Sequence, residues 1–524
     1  MKYPKVVSLL LVLAFLFCAC TAAPTQQTPT APEHTDAVII ALRDNEITVD
    51  GNPASTDDTA AVYTANDIVY YESGKDFTYG EGSEADAHTK EEAAAHTVVH
   101  ITKPGTYSLS GKLSLGQIAV DLGSDAKKDP NAVVTLILNG VDITCQVAPA
   151  VIFYNVYECG NDDAETATKD VDTSAAGANV IIADGTVNTV NGSYVARIYE
   201  PDSVVLNDDK TEVEDADKLH KYDGAFYSKR SMNISGGKEN TGILNINAEN
   251  EGLDSELHLT INGGNINIIS GNDGINTNED GVSVTTVNSG RLTIKVTGET
   301  GEGDGIDSNG WLVINGGTVI AAACSNSADA GIDSDMGIHI TGGTVIASGH
   351  MLDRIEDGAQ NYAVFNFSQK QTGSETVSMK AQDGTAIMEI KPENAYSILI
   401  YSSPDLKAGT YTLWSDDQQL AGGSGGMMGG GMRPDGMGRP DGMQPPEDFT
   451  RPDGNTPPED FTRPDGDTPP EDFTRPSGDN PPQMPGGNRP GNPGGNNMTP
   501  QEQTPDFIIR DGGNMFSGIQ ALTT

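Results

Sequence analysis

Ile314-Asn315-Gly316-Gly317-Thr318-Val319 is one copy of a phrase that also occurs as Ile261-Asn262-Gly263-Gly264-Asn265-Ile266, Val287-Asn288-Ser289-Gly290-Arg291-Leu292 and Ile340-Thr341-Gly342-Gly343-Thr344-Val345. The second glycine falls at positions 264, 290, 317 and 343, so the steps are 26, 27 and 26 residues. A second phrase interleaves with the first: Glu251-Gly252-Leu253-Asp254-Ser255, Asp273-Gly274-Ile275-Asn276-Thr277, Asp304-Gly305-Ile306-Asp307-Ser308 and Ala330-Gly331-Ile332-Asp333-Ser334. A fixed period of this size, made of short strands and turns, predicts one coil per repeat with equivalent residues placed above one another. Apolar residues alternate with polar ones, as at Leu257, Leu259 and Ile261, which puts one face inward. The expected fold is therefore all-β, a parallel β-helix. A sandwich or barrel is the competing all-β reading, and its spacing would be irregular.

Outside the repeats, strand and turn signals continue on both sides. Toward the N-terminus they include 98–101, 107–109, 118–120, 133–138 and 180–182, with Asn139-Gly140 and Asp184-Gly185 as turns. Residues 90–95 suit a helical turn. Polar inserts at 160–177 and 199–222 read as loops projecting from the coils. After Met351 the period stops, and 363–367, 376–380, 386–390, 397–401 and 410–414 read as antiparallel strands that cap the open edge. Residues 421–505 are low-complexity Gly/Met/Pro-rich sequence. They contain a 12-residue unit with phenylalanines at 449, 461 and 473, and such a composition cannot build a core. The apolar segment from Phe507 is expected to return to the cap as a strand.

The N-terminus has the layout of an export signal: Lys2 and Lys5, an apolar run over 6–17, then Cys18-Ala19-Cys20. A small residue before a cysteine resembles a lipobox with Cys20 as the lipidated residue, although Phe17 stands where leucine is usual. The organisation expected is a lipoprotein signal peptide at 1–20, a flexible tether at 21–36, an N-terminal β-rich cap at 37–94 and a β-helix at 95–350. A C-terminal β cap at 351–420, the repeat segment at 421–505 and a returning strand at 506–524 complete it. The location implied is the extracellular face of the cell membrane, lipid-anchored, or secreted if Cys20 is not lipidated. No other run is long enough to cross a membrane. Past the signal only Cys145, Cys159 and Cys324 remain, too few and too scattered for a disulfide framework or a zinc site.

The 524-residue chain has a formal charge of −44, which argues against nucleic acid and favours cations or neutral and cation-bridged polymers as partners. Its interleaved phrase places acids in columns. One column holds Glu251, Asp273, Asp304 and Ala330; the next holds Asp254, Asn276, Asp307 and Asp333. Neighbouring strands lie about 4.8 Å apart. Two carboxylates at about 5 Å repel by roughly 3 kcal/mol at an effective dielectric near 20. Raised carboxyl pKa values, outward splay or a bound cation relieves this. Calcium suits the oxygen donors Glu251, Asp254, Asp273, Asn276, Asp304, Asp307 and Asp333. The plainer reading is that Asp-Gly and Asn-Gly are simply good turn formers.

Catalytic signals are weak. There is no Gly-x-Ser-x-Gly elbow, and the loop at 105–112 matches a phosphate loop poorly. His96 and His100 read as paired surface histidines. A lyase needs a base, for which Lys229, Arg230, Arg291 and Lys295 are the nearest residues. Trp311 follows the third acidic turn, where it suits either stacking on a sugar ring or filling the turn's edge. Trp311, Lys229 and Arg291 are the candidate ligand contacts.

Three segments carry a family resemblance: Ile101-Thr102-Lys103-Pro104-Gly105-Thr106-Tyr107-Ser108-Leu109-Ser110-Gly111, Leu136-Ile137-Leu138-Asn139-Gly140-Val141-Asp142-Ile143, and Asp223-Gly224-Ala225-Phe226-Tyr227-Ser228-Lys229. With the Asp-Gly-Ile repeats and Ser402-Ser403-Pro404-Asp405-Leu406-Lys407, the chain resembles bacterial surface carbohydrate-binding proteins built on a right-handed parallel β-helix. The resemblance covers residues 95–420. It implies non-catalytic binding of plant-type polysaccharide, acidic pectic chains (polygalacturonate) or cellulose-like glucan, with calcium held on a pectate-lyase-like fold. The protein is then expected to be a monomer without enzymatic activity. The alternatives are a polysaccharide lyase or hydrolase on the same scaffold, or a structural adhesin. Ala330, where the other repeats carry an acid, departs from the pattern.

Overall fold

The computed structural model describes residues 36–356, 358, 360–424 and 503–522. The signal peptide, Cys20, most of the tether and the 12-residue units lie outside the described residues.

The chain is all-β, and its repeats feed three parallel ladders in a constant order. The first ladder joins Val134–Thr144, Ala178–Ile182, Met232–Gly236, Leu259–Ile261, Val284–Val287, Trp311–Ile314 and Gly337–Ile340. The second joins the end of Val134–Thr144 to Val187–Gly192, Ile243–Ala248, Asn265–Ser270, Arg291–Val296, Thr318–Ala322 and Thr344–Gly349. The third joins Thr97–Ile101, Gly116–Asp121, Val151–Asn155, Gly224–Ser228, Glu251–Ser255, Ile275–Thr277 and Ile306–Ser308.

Register places the inward residues in columns. Leu244, Ile266, Leu292, Val319 and Val345 are paired in succession, and none is more than 1% exposed. Such burial of branched side chains is the main favourable term holding the repeats together. The Gly-Gly phrase has a backbone cause. Gly264, Gly290, Gly317 and Gly343 have φ of +90°, +90°, +76° and +78°, a region that a β-carbon disfavours. A β-carbon on Gly290 would also lie 2.5 Å from the carbonyl oxygen of Gly264 in the preceding repeat. The motif therefore recurs because the corner between the first and second ladders is tight.

At the N-terminal side, Val38–Leu42 runs parallel to Gly105–Leu113, and Val62–Ala65 closes the third ladder with an antiparallel pairing to Thr97–Ile101. The short helix Lys90–Ala94 is held by a capping box between Thr89 and Glu92. His96 is buried, unlike the surface position expected for it. Its Nδ1 lies 2.8 Å from the Glu92 carbonyl and its Nε2 accepts from the Gln146 N–H, so it serves the loops around it.

At the C-terminal side, Thr344–Gly349 pairs antiparallel with Tyr396–Ser402, which pairs in turn with Tyr362–Gln371. The returning segment forms two strands. Phe507–Ile509 pairs with Gly409–Ser415, and Gly513–Ala521 lies between Tyr362–Gln371 and Gln418–Ser424. Phe365, Phe507 and Phe516 pack together in a core of their own.

The 160–177 insert folds back instead of projecting, whereas 199–222 is held at its ends and carries an exposed hairpin, Val205–Leu206 paired with Val213–Asp215. Residues 199–222 form strands whose neighbour Arg197 pairs with Glu81, while the Tyr199 N–H donates to the Tyr79 carbonyl. In the 160–177 insert, Thr173 is buried against the first ladder.

Candidate functional site

The acidic phrase lies along the third ladder. Register pairs Asp254 with Asn276 and Asn276 with Asp307, the column expected. Beside it runs a column of glycines. A β-carbon on Gly252 would sit 2.5 Å from the Gly274 carbonyl, and one on Gly274 would sit 2.5 Å from that of Gly305. The missing side chains let successive backbones approach, and the flanking acids are drawn together with them.

The acids gather as two triads, not one cage. Asp223, Glu251 and Asp254 each bring a carboxylate oxygen within 4.8 Å of the others, and so do Asp304, Asp307 and Asp333. Asp273 belongs to neither, and the amide of Asn276 lies beside the first triad. Asn276 Nδ2 donates to Glu251 Oε1 at 3.1 Å, and Asp273 Oδ1 accepts the Asp304 N–H at 2.7 Å. Asp304 Oδ1 in turn accepts the Ala330 N–H at 2.5 Å. Ala330, which breaks the acidic pattern, is thus tied to the repeat before it through its backbone.

Asp223 was not among the expected metal ligands. Aligning Asp223-Gly224-Ala225 with Glu251-Gly252-Leu253 would put Asp223 in the Glu251 column, but register pairs Gly224 with Glu251 and Phe226 with Leu253. One extra residue shifts the phase, so Asp223 reaches the triad from the flanking turn. The signal that could have found it is the Asp-Gly pair itself.

Electrostatics at these acids are severe. Glu251 and Asp254 are 5% and 0% exposed. Burial holds Glu251 well above the ordinary carboxylate range, with Asp254 adding to it, and burial raises Asp254 likewise, with Asp223 adding. Asp304 is raised by burial and by Asp273, and burial with Asp307 pushes Asp273 up to about 8. At the first triad, Lys221 Nζ stands 2.7 Å from Asp223 Oδ2. Burial pulls the Lys221 ammonium down, but the attraction of Asp223 outweighs it and leaves its pKa raised.

The donor set fits a hard divalent cation. It consists of carboxylate and amide oxygens, without a thiol or imidazole in either triad. Glu251 Oε2, Asp254 Oδ2 and Asn276 Oδ1 are buried and accept no hydrogen bond, whereas buried polar atoms are normally satisfied.

The three expected ligand contacts are not brought together. Lys229 is exposed just beyond Gly224–Ser228 on the third ladder, Arg291 is exposed on the second, and half-buried Trp311 starts a strand of the first. Lys295 pairs with Glu393, 3.4 Å away. Cys145, Cys159 and Cys324 are free thiols; burial pushes Cys145 up to about 12 and Cys159 up to about 11.

Sequence and structure comparisons give the site a context. A carbohydrate-binding domain-containing protein of Acetivibrio thermocellus is 29% identical over 172 residues, or 32% of this chain and 44% of that protein. The chain thus spans less than half the length of that relative. A solved polysaccharide lyase-like protein from C. thermocellum, studied as a gadolinium derivative, aligns at 19% identity and a TM-score of 0.32 over 58% of this chain and 83% of the other. The family described as carbohydrate-binding domain-containing protein matches residues 95–160 and 164–405, more than half of the chain. The chain belongs to that family of carbohydrate-binding domain-containing proteins.

Proposed function

We propose that this protein binds polysaccharide without cleaving it, using calcium held on the third ladder, at the outer face of a bacterial cell membrane. The observation that carries the reading is the set of buried oxygens at the first triad, Glu251 Oε2, Asp254 Oδ2 and Asn276 Oδ1, that accept no hydrogen bond. Asp223, Glu251, Asp254 and Asn276 would hold one ion, and Asp304, Asp307 and Asp333 a second, with Asp273 between them. A calcium ion there would neutralise the carboxylates and supply positive charge for uronate carboxylates and sugar hydroxyls, so that a strongly negative chain could hold an acidic pectic polymer. Lys221, kept charged by Asp223, is a poor candidate for the base of a lyase.

The constant strand order and the three parallel ladders support a parallel β-helix as the scaffold, right-handed as such crossovers are. The protein acts as a monomer. A lipid on Cys20 places it at the cell surface, and without that lipid it is secreted.

The test is retention of the full chain on polygalacturonate with calcium and with chelator, alongside absorbance of unsaturated products. Calcium-dependent retention without product is expected. Equal retention in chelator removes calcium from the reading, and unsaturated product replaces binding with cleavage.

A further inference from the structure

The first ladder carries a second, chemically different feature on its outward face. Thr260, Thr286, Val313 and His339 follow one another in register from strand to strand. Two residues further along each strand run Asn262, Asn288, Asn315 and Thr341. These bond to one another in series: Asn288 Nδ2 donates to Asn262 Oδ1 at 2.9 Å, Asn315 Nδ2 to Asn288 Oδ1 at 2.9 Å, and Thr341 Oγ1 to Asn315 Oδ1 at 2.7 Å.

The 160–177 insert turns this face into a groove of about 510 Å³, with residues 169–174 as its wall. The insert is pinned at Thr173. Its hydroxyl lies 2.7 Å from both Asn233 Oδ1 and Thr260 Oγ1, and Asn233 Nδ2 donates to its carbonyl at 2.7 Å. The wall is therefore fixed to the ladder at one end.

We infer that this groove binds a single neutral glycan strand laid across the repeats, independently of calcium. The inference rests on the carbohydrate-binding reading above and gives that reading a second site. Three features of the groove select the occupant. First, Asn288 and Asn315 each use one amide N–H in the ladder and keep the second, and Asn262 only accepts in it, so the three asparagine repeats each offer a donor while Thr341 spends its own on Asn315. Hydroxyls spaced along a sugar chain match a donor repeated at strand spacing, about 4.8 Å. Second, the charge is wrong for a uronan. The wall's one lysine, Lys169, lies 2.5 Å from Asp170, and Asp172 adds a further carboxylate. Third, an aromatic ring flanks the floor. Trp311 sits two residues before Val313 on the same strand, with inward Leu312 between them, so alternation turns both outward, and Trp311 is half-buried.

The test uses the full chain in affinity electrophoresis through hydroxyethylcellulose and through polygalacturonate, each with calcium and with chelator. Thr286→Tyr fills the groove; His339→Ala is a milder variant with less risk to folding, and circular dichroism confirms that each is folded. The expected result is roughly tenfold weaker retardation by hydroxyethylcellulose, no effect of chelator on that polymer, and polygalacturonate retention as in the parent. Parent-like retardation of both folded variants by hydroxyethylcellulose overturns the groove site alone. A parent that binds polygalacturonate but not hydroxyethylcellulose also overturns the groove site alone. A parent retained by neither polymer overturns the carbohydrate-binding reading as well.

Discussion

The carboxylate of Asp273 accepts the backbone N–H of Asp304 at 2.7 Å, joining two successive repeats through an acid whose pKa is pushed up to about 8. The same side chains that tie the repeats together are thus the ones whose ionisation strains them. A bound cation would remove the strain without breaking the tie.

Stability without calcium should fall as pH rises. Burial raises the folded pKa values of Asp273, Glu251, Asp254 and Asp304. Between the ordinary carboxylate pKa and the raised one, the folded state binds more protons than the unfolded state, so unfolding free energy decreases with pH. The Tm of chelator-treated protein should drop steadily from pH 5 toward pH 8, where Asp273 titrates. Added calcium should raise Tm more at pH 8 than at pH 5, because a metal needs the ionised ligands and binds only the folded form. Scanning calorimetry at both pH values checks this, and a flat calcium-free profile would contradict it.

Asp304→Asn and Asp304→Ala should part company. The asparagine keeps an oxygen for the Ala330 N–H, which Asp304 Oδ1 now accepts at 2.5 Å, and removes a charge beside Asp273 and Asp333. In chelator at pH 8 it should be at least as stable as the parent, yet show a reduced calcium-induced rise in Tm. The alanine leaves the buried N–H unsatisfied and should lose about 1–3 kcal/mol. Urea denaturation of both proteins, with and without calcium, separates the two effects.

Lys221→Met should strengthen the response to calcium at the first triad. Lys221 Nζ lies 2.7 Å from Asp223 Oδ2, where it competes with a metal for the same oxygen. The variant should be less stable than the parent in chelator and gain more from calcium. Calorimetric titration of calcium into both proteins would show a tighter or larger binding event in the variant; unchanged titration would place the ion elsewhere.

Glycine substitutions should distinguish crowding from backbone conformation. A β-carbon at Gly274 would lie 2.2 Å from Ile294 Cγ2 and 2.5 Å from the Gly305 carbonyl, so Gly274→Ala should destabilise by about 1–3 kcal/mol or more. Gly281 has open space around it and a φ of +67°, so Gly281→Ala should cost only about 1–2 kcal/mol, from the backbone alone. Urea midpoints of the two variants give the comparison.

Much of the fold was legible in the spacing of residues. Ile261, Val287, Ile314 and Ile340 recur at the step of the Gly-Gly phrase and are paired in register in the first ladder. The reason is that a parallel ladder repeats its inward position once per circuit, so period and alternation name the column together. The acidic turns were less regular. Asp254, Asn276 and Asp307 are separated by 22 and 31 residues, because the loops at 278–283 and 297–305 in the second step are longer than those at 256–258 and 271–274 in the first. Motif identity still placed those residues in one column, but the phase shift at Ala225-Phe226 hid Asp223.

Local order therefore belongs to the linear chain: the all-β class, the repeat length, the inward columns and the glycines at the corners follow from alternation, turn chemistry and a constant period. The grouping of acids into two triads, the role of Asp223 and the placing of Thr173 over the first ladder do not. They depend on which side chains from distant segments meet once the repeats are in register, and the distance between two carboxylate oxygens is set by loop lengths and backbone approach that no single repeat encodes. Asp223 and Asp254 are 31 positions apart in sequence yet share a cluster within 4.8 Å, a contact made by the packing of one repeat on the next.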